Sequence, residues 1–151
     1  MGFGGEGFFR KTRLRDFFNT ELKAKTRVLA LAVFVESRNE TEESFFIANS
    51  TMVISLLFAA LDATIAKIQL LKEAPSSNSG KVNELVRLLS VFKPCFTHLR
   101  ANFDEQGTVD AVAGLVRRLL AQDNHVRLRE EGLKVCGYGK HCLRLLTIWY
   151  Q

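Results

Sequence analysis

Residues 44–61 carry no charged side chain, and most of them are apolar. A run of that length approaches the roughly 18 to 20 residues of a helix crossing a bilayer. Asn49, Ser50 and Thr51 stand in its middle, and Asp62 and Lys67 follow at once. Each would be costly in hydrocarbon, so a span is rejected. A helix apolar nearly all round, in a chain that does not use it as a span, is a central one wrapped by neighbours. Asn49–Ser50 is expected to interrupt it, leaving a short helix and then a long one over 51–72, about 33 Å long at the α-helical rise.

The wrapping helices can be read on either side. Thr20, with Glu21 behind it, is expected to cap a helix over 20–36 whose face includes Leu22, Leu29 and Val33. The 37–41 stretch reads as a polar loop, and Asn39 with Glu42 has capping-box spacing. Residues 74–80, APSSNSG, read as the clearest loop and a site of tolerated insertion. Beyond it Val82, Leu85, Leu88, Leu89 and Phe92 recur at helical spacing until Pro94, which is expected to kink or end that helix at Lys93. A short helical piece over 95–103 and a polar connector over 101–107 follow. Thr108 then caps a helix on which Val109, Val112, Leu115, Val116, Leu119 and Leu120 share a face. After the break at Gln122, Asp123 and Asn124 a last helix begins, capped by Asp123 or Asn124. No alternating run bounded by turn signals exists, so no strand is expected.

The fold class is therefore all-α. Short connectors favour irregular HEAT- or armadillo-like helical hairpins, an α-solenoid segment over 20–151 after a flexible basic lead-in at 1–19; a compact helical bundle is the alternative. The final stretch, 143–151, is apolar on nearly every side and ends in Trp149, Tyr150 and Gln151 with no stop signal. Such a surface is expected to be covered by following repeats or by a partner.

At this point the residues resemble a known family. Leu115-Val116-Arg117-Arg118-Leu119-Leu120, Asn124, Arg127-Leu128-Arg129-Glu130-Glu131-Gly132-Leu133-Lys134 and Leu145-Leu146-Thr147-Ile148-Trp149-Tyr150-Gln151 are similar to the N-terminal region of the Ral GTPase-activating protein alpha subunit, more distantly related to tuberin. Thr26-Arg27-Val28, Phe45-Phe46 and the stretch from Val86-Arg87-Leu88 to Pro94 fall in similar order upstream. The resemblance implies a helical scaffold at the start of a very large protein acting in small GTPase signalling, with a beta subunit as partner. Its GTPase-activating domain lies far downstream and reaches the GTPase there. No residue here corresponds to that domain, so no catalytic residue and no cofactor are expected. The sequence departs from the family at 135–144, VCGYGKHCLR, where the paired glycines are expected to break the helix near Gly137.

Charge and chemistry leave other classes open. The formal charge is +5, with Arg10, Lys11, Arg13, Arg15, Lys23, Lys25 and Arg27 set against Asp16 and Glu21 in the same interval. A stand-alone basic module binding nucleic acid or an anionic membrane is the alternative function. Against nucleic acid, Glu130 and Glu131 would oppose the phosphates that His125, Arg127 and Arg129 could reach, and Glu130–Lys134 reads as a surface pair. Against the membrane, Phe8, Phe9, Leu14, Phe17 and Phe18 read as a frayed lead-in helix whose phenylalanines are expected to dock on the first core helix. Gly2, Gly4 and Gly7 spell a dinucleotide pattern with no strand before it. Cys136, His141 and Cys142, with His125 or Cys95 and His98, could hold zinc, but the spacing is not a standard half-site, and no metal is expected. Three cysteines make no disulfide framework, and no signal-peptide pattern opens the chain, so the expected location is cytoplasmic. The interaction seam is expected at Val112, Leu115, Val116, Leu119, Leu120, Leu145, Ile148 and Trp149.

Overall fold

The structure, a computed structural model, describes residues 14–37, 40–70, 75–121 and 126–138. Among them every regular element is helical, as the absence of strand patterning requires. The chain divides into two compact units, Met1–Val91 and Phe92–Gln151.

In the first unit a helical turn over 14–18 closes at Asn19, whose side chain accepts the Glu21 N–H at 3.0 Å. That local turn occupies the residues expected to start the first helix. Helix α1 (Ala24–Glu36) therefore begins after Lys23, not at Thr20. Val28, Ala30, Leu31, Ala32 and Phe34 are buried along it. Helix α2 (Glu42–Ala48) follows Thr41; Asn39, the expected cap, lies outside the described residues. The expected interruption is present at Asn49, at φ −118° and ψ 25°, and its side-chain amide donates to the Phe45 carbonyl at 2.9 Å. The Asn49 backbone N–H donates to the same carbonyl at 3.1 Å, so the side chain adds a local bond of the kind that lets asparagine end a helix within an apolar run.

Helix α3 (Ser50–Leu70) is the central element. Val53, Leu57, Ala60, Leu61, Ile65 and Ile68 are buried on a single stripe. Thr64 is buried with them, and its hydroxyl donates to the Ala60 carbonyl at 2.8 Å. By length and composition Ser50–Ile68 would suffice to cross a membrane; here α3 packs against both α1 and helix α4 (Pro75–Leu89). The expected loop at 74–80 is thus largely helix. Pro75 takes the first helical position, where its missing N–H would have no partner and its fixed φ suits the turn. Val82, Leu85, Leu88 and Leu89 form the buried face of α4. Ion pairs Lys25–Glu84 (3.1 Å) and Glu36–Arg87 (3.4 Å) join α1 to α4.

The second unit contains α5 (Phe92–His98), α6 (Arg100–Phe103), α7 (Gln106–Leu119) and α8 (Val126–Tyr138). Pro94 does not end a helix; it lies in the first turn of α5, where no intrahelical N–H is needed, and it is buried. Helix α7 starts after Glu105, whose backbone is extended, so Thr108 is an interior residue rather than the cap. Helix α8 includes Gly137 and is described to Tyr138; the rest of the stretch where a break was expected lies outside the described residues. Val135 and Cys136 are buried just before Gly137, and the Tyr138 ring lies 6.3 Å from that of Phe96. Burial of Val135 and Cys136 offsets the intrinsic penalty of about 1 kcal/mol for a single helical glycine. The α7–α8 contact is close at Gly132: a Cβ there would stand 3.0 Å from the Leu119 Cβ and 3.3 Å from the Leu120 Cδ2.

Candidate functional site

Val112, Leu115, Val116 and Leu119 are buried, and Leu120 is half-buried. The chain itself covers these residues, so they form the interior of the second unit rather than an open seam. Leu145, Ile148 and Trp149 lie outside the described residues, as do Phe8 and Phe9.

The apolar surface that is open lies elsewhere on the same pair of helices. Val126 is 54% exposed and Leu133 56% exposed. They are separated by two helical turns and so share one side of α8, while Leu128, Gly132, Val135 and Cys136 turn inward. Arg129 sits between them, half-buried, with its Nε enclosed and making no hydrogen bond among the described residues. A buried guanidinium nitrogen without an acceptor is uncommon and costly. Beside this strip Glu131 is buried and accepts a bond from Lys134 at 3.0 Å. The pair is Glu131–Lys134, three residues apart, instead of the expected Glu130–Lys134. That hydrogen bond, reinforced by the carboxylate charge, raises the Lys134 pKa above its usual value.

Periodicity missed this strip because Val126 and Leu133 share an apolar pattern with Leu128 and Val135. Which of the two sets turns inward depends on where α7 meets the helix. Gly132 was the available signal: a residue without a side chain, on the inward side, marks the line of closest approach.

The nucleic-acid candidates are dispersed: Arg127 and Glu130 are exposed, Arg129 is partly enclosed, and His125 lies outside the described residues. Cys95 and Cys136 are buried free thiols, and burial pushes the Cys95 pKa well above its ordinary range. His141 and Cys142 lie outside the described residues; among those described, no three His, Cys, Asp or Glu side chains converge as a metal site would require.

In the first unit Phe17 is fully buried, while Phe18 is 45% exposed. The expected docking of the lead-in phenylalanines therefore holds for one of the described pair. Phe17 meets Phe45 at 5.6 Å between centroids, and Phe45 in turn meets Phe34 at 5.1 Å. The buried Arg27 guanidinium donates to the Phe17 carbonyl at 2.7 Å and approaches the Met52 sulfur at 3.8 Å. One side chain so ties the lead-in turn to α1 and α3.

No family model, curated protein or solved structure matches this chain.

Proposed function

We propose that this chain is a non-catalytic scaffold segment, an irregular HEAT-like stack that resembles the N-terminal region of the Ral GTPase-activating protein alpha subunit. In this reading it regulates small GTPase signalling by holding a protein partner, a beta-type subunit or further repeats of the same architecture. The observation that carries the reading is the strip of Val126 and Leu133 on the side of α8 opposite to its buried face. Helical repeats leave such a strip on each unit for the next to cover, and stability accrues as neighbours stack. Two apolar anchors flanking a partly enclosed arginine also match the composition of interface centres, where arginine is enriched.

The test is a binding measurement between the purified chain and a purified beta-type subunit of the Ral GTPase-activating complex. Association is expected, and Leu133→Asp should weaken it at least tenfold while leaving the helical circular dichroism unchanged. No association at tens of micromolar, or equal binding by Leu133→Asp, would overturn the proposal.

A further inference from the structure

Met52, in the first turn of α3, is one of two methionines in the chain, Met1 being the other. It is 38% exposed, yet its sulfur faces a cation: Arg27 Nη2 stands 3.8 Å away. The approach is fixed from the other side. Arg27 Nε donates to the Phe17 carbonyl at 2.7 Å, and in a planar guanidinium Nε and Nη2 share one edge. Nη2 therefore cannot turn from the sulfur without straining the first bond. Arg27 is itself buried, and a thioether is a weak acceptor, so this donor meets a poorer partner than it could bind.

The separation suits the sulfur in its next oxidation state. A sulfoxide oxygen stands about 1.5 Å from its sulfur and, as an acceptor, about 2.9 Å from an N–H nitrogen. With an angle of about 120° at the oxygen, sulfur and nitrogen then lie about 3.9 Å apart. The 3.8 Å between Met52 Sδ and Arg27 Nη2 matches that span. Sulfoxide formation disrupts a core by placing a polar group where it has no partner. Met52 differs on both sides of its sulfur: one is open to water, and the other carries a cationic donor.

From this geometry we infer that Met52 is an oxidation site, at which a peroxide tightens the fold instead of damaging it. A sulfur lone pair attacks one oxygen of hydrogen peroxide, the O–O bond breaks and an S–O bond forms. Sulfur gives up two electrons; the departing hydroxide takes the proton left on the transferred oxygen and leaves as water. The sulfoxide oxygen then accepts from Arg27 Nη2, and a weak contact becomes a charge-assisted hydrogen bond. Because Arg27 also holds Phe17, the lead-in turn, α1 and α3 are tied more firmly in the oxidised chain. A methionine sulfoxide reductase reverses the change. The inference is independent of the scaffold reading.

Peroxide treatment of the full chain tests it, with oxidation at Met52 located by peptide mass spectrometry. Protease cleavage within 14–18 requires the tie at Phe17 to open, so its rate reports how firmly Arg27 is held. Oxidation should slow that cleavage about tenfold, the factor of one hydrogen bond to a charged group, and should not lower the urea midpoint. Met52→Leu keeps every cysteine and Met1, and the same treatment should leave its cleavage rate unchanged. Met52→Gln, which supplies an amide oxygen in place of the sulfoxide's, should slow cleavage without peroxide. Faster cleavage or a lower midpoint after oxidation would overturn the inference. So would an equal response in Met52→Leu, or no oxidation of Met52 under peroxide that fully converts it in the urea-unfolded chain.

Discussion

Replacing Gly132 and Gly137 by alanine, one at a time, should change stability unequally although both lie in α8. At Gly137 an added Cβ meets nothing within 4 Å. Only the backbone effect remains, and alanine is favoured over glycine inside a helix by about 1 kcal/mol. Gly137→Ala should therefore raise stability by about that amount. At Gly132 the same gain is opposed by contact with α7, where the new methyl would stand 3.0 Å from the Leu119 Cβ. A Cβ is fixed to its backbone and cannot turn aside as the end of a long side chain can. Leu119 is itself 1% exposed, which leaves it no room to retreat. Overpacking of this kind costs about 1 to 3 kcal/mol. The net change for Gly132→Ala lies between near zero and a loss of about 2 kcal/mol, so it falls below Gly137→Ala by about 1 to 3 kcal/mol. Urea denaturation followed by far-ultraviolet circular dichroism measures both. A Gly132→Ala variant stabilised as much as Gly137→Ala would refute the close approach of α7 and α8.

Other expectations follow from burial. Leu119→Ala should cost about 2 to 5 kcal/mol in the same assay; a loss under half a unit would mean that its face is free. Arg27→Met keeps much of the side-chain volume but leaves the Phe17 carbonyl without its donor, and should cost about 1 to 3 kcal/mol. Protease nicking near residues 14–18 should accelerate in that variant. The buried Cys95 thiol, its pKa raised by desolvation, stays protonated where an unfolded thiol with an ordinary pKa near 9.0 ionises. The unfolded state then holds fewer protons than the native one, so stability is intact below pH 9 and falls as pH rises past it. The slope from this one group approaches about 1.4 kcal/mol per pH unit. Cys95→Ala should remove that component, and an unchanged alkaline slope would count against the assignment.

Periodicity in the sequence predicted the helical class, the long central helix, its interruption at Asn49 and the inward sides of α4 and α7. These features rest on patterns that one helix carries alone. Helix starts were less legible. Thr20 and Thr108 are good caps by chemistry, yet Asn19 forms its own turn ahead of the first, and the extended backbone at Glu105 sets the second. The two prolines were read as stops or loops, and each stands in a first turn. A proline removes the same N–H in either setting, so the residue does not reveal which end it marks. The open strip on α8 was invisible for a different reason. Val126 and Leu133 differ from Leu128 and Val135 only in which way α7 forces the helix to turn.

The first unit takes all its aromatic packing from phenylalanine: Phe17, Phe34, Phe45 and Phe46 cluster there, and Met1–Val91 contains neither tyrosine nor tryptophan. Tyr138, Trp149 and Tyr150 all fall in the second unit. Intrinsic emission excited at 295 nm or 280 nm will consequently be blind to the half of the chain built on α3. Circular dichroism sees both halves, so melting curves that coincide by the two probes would mark one cooperative transition, and curves that separate would time each half on its own.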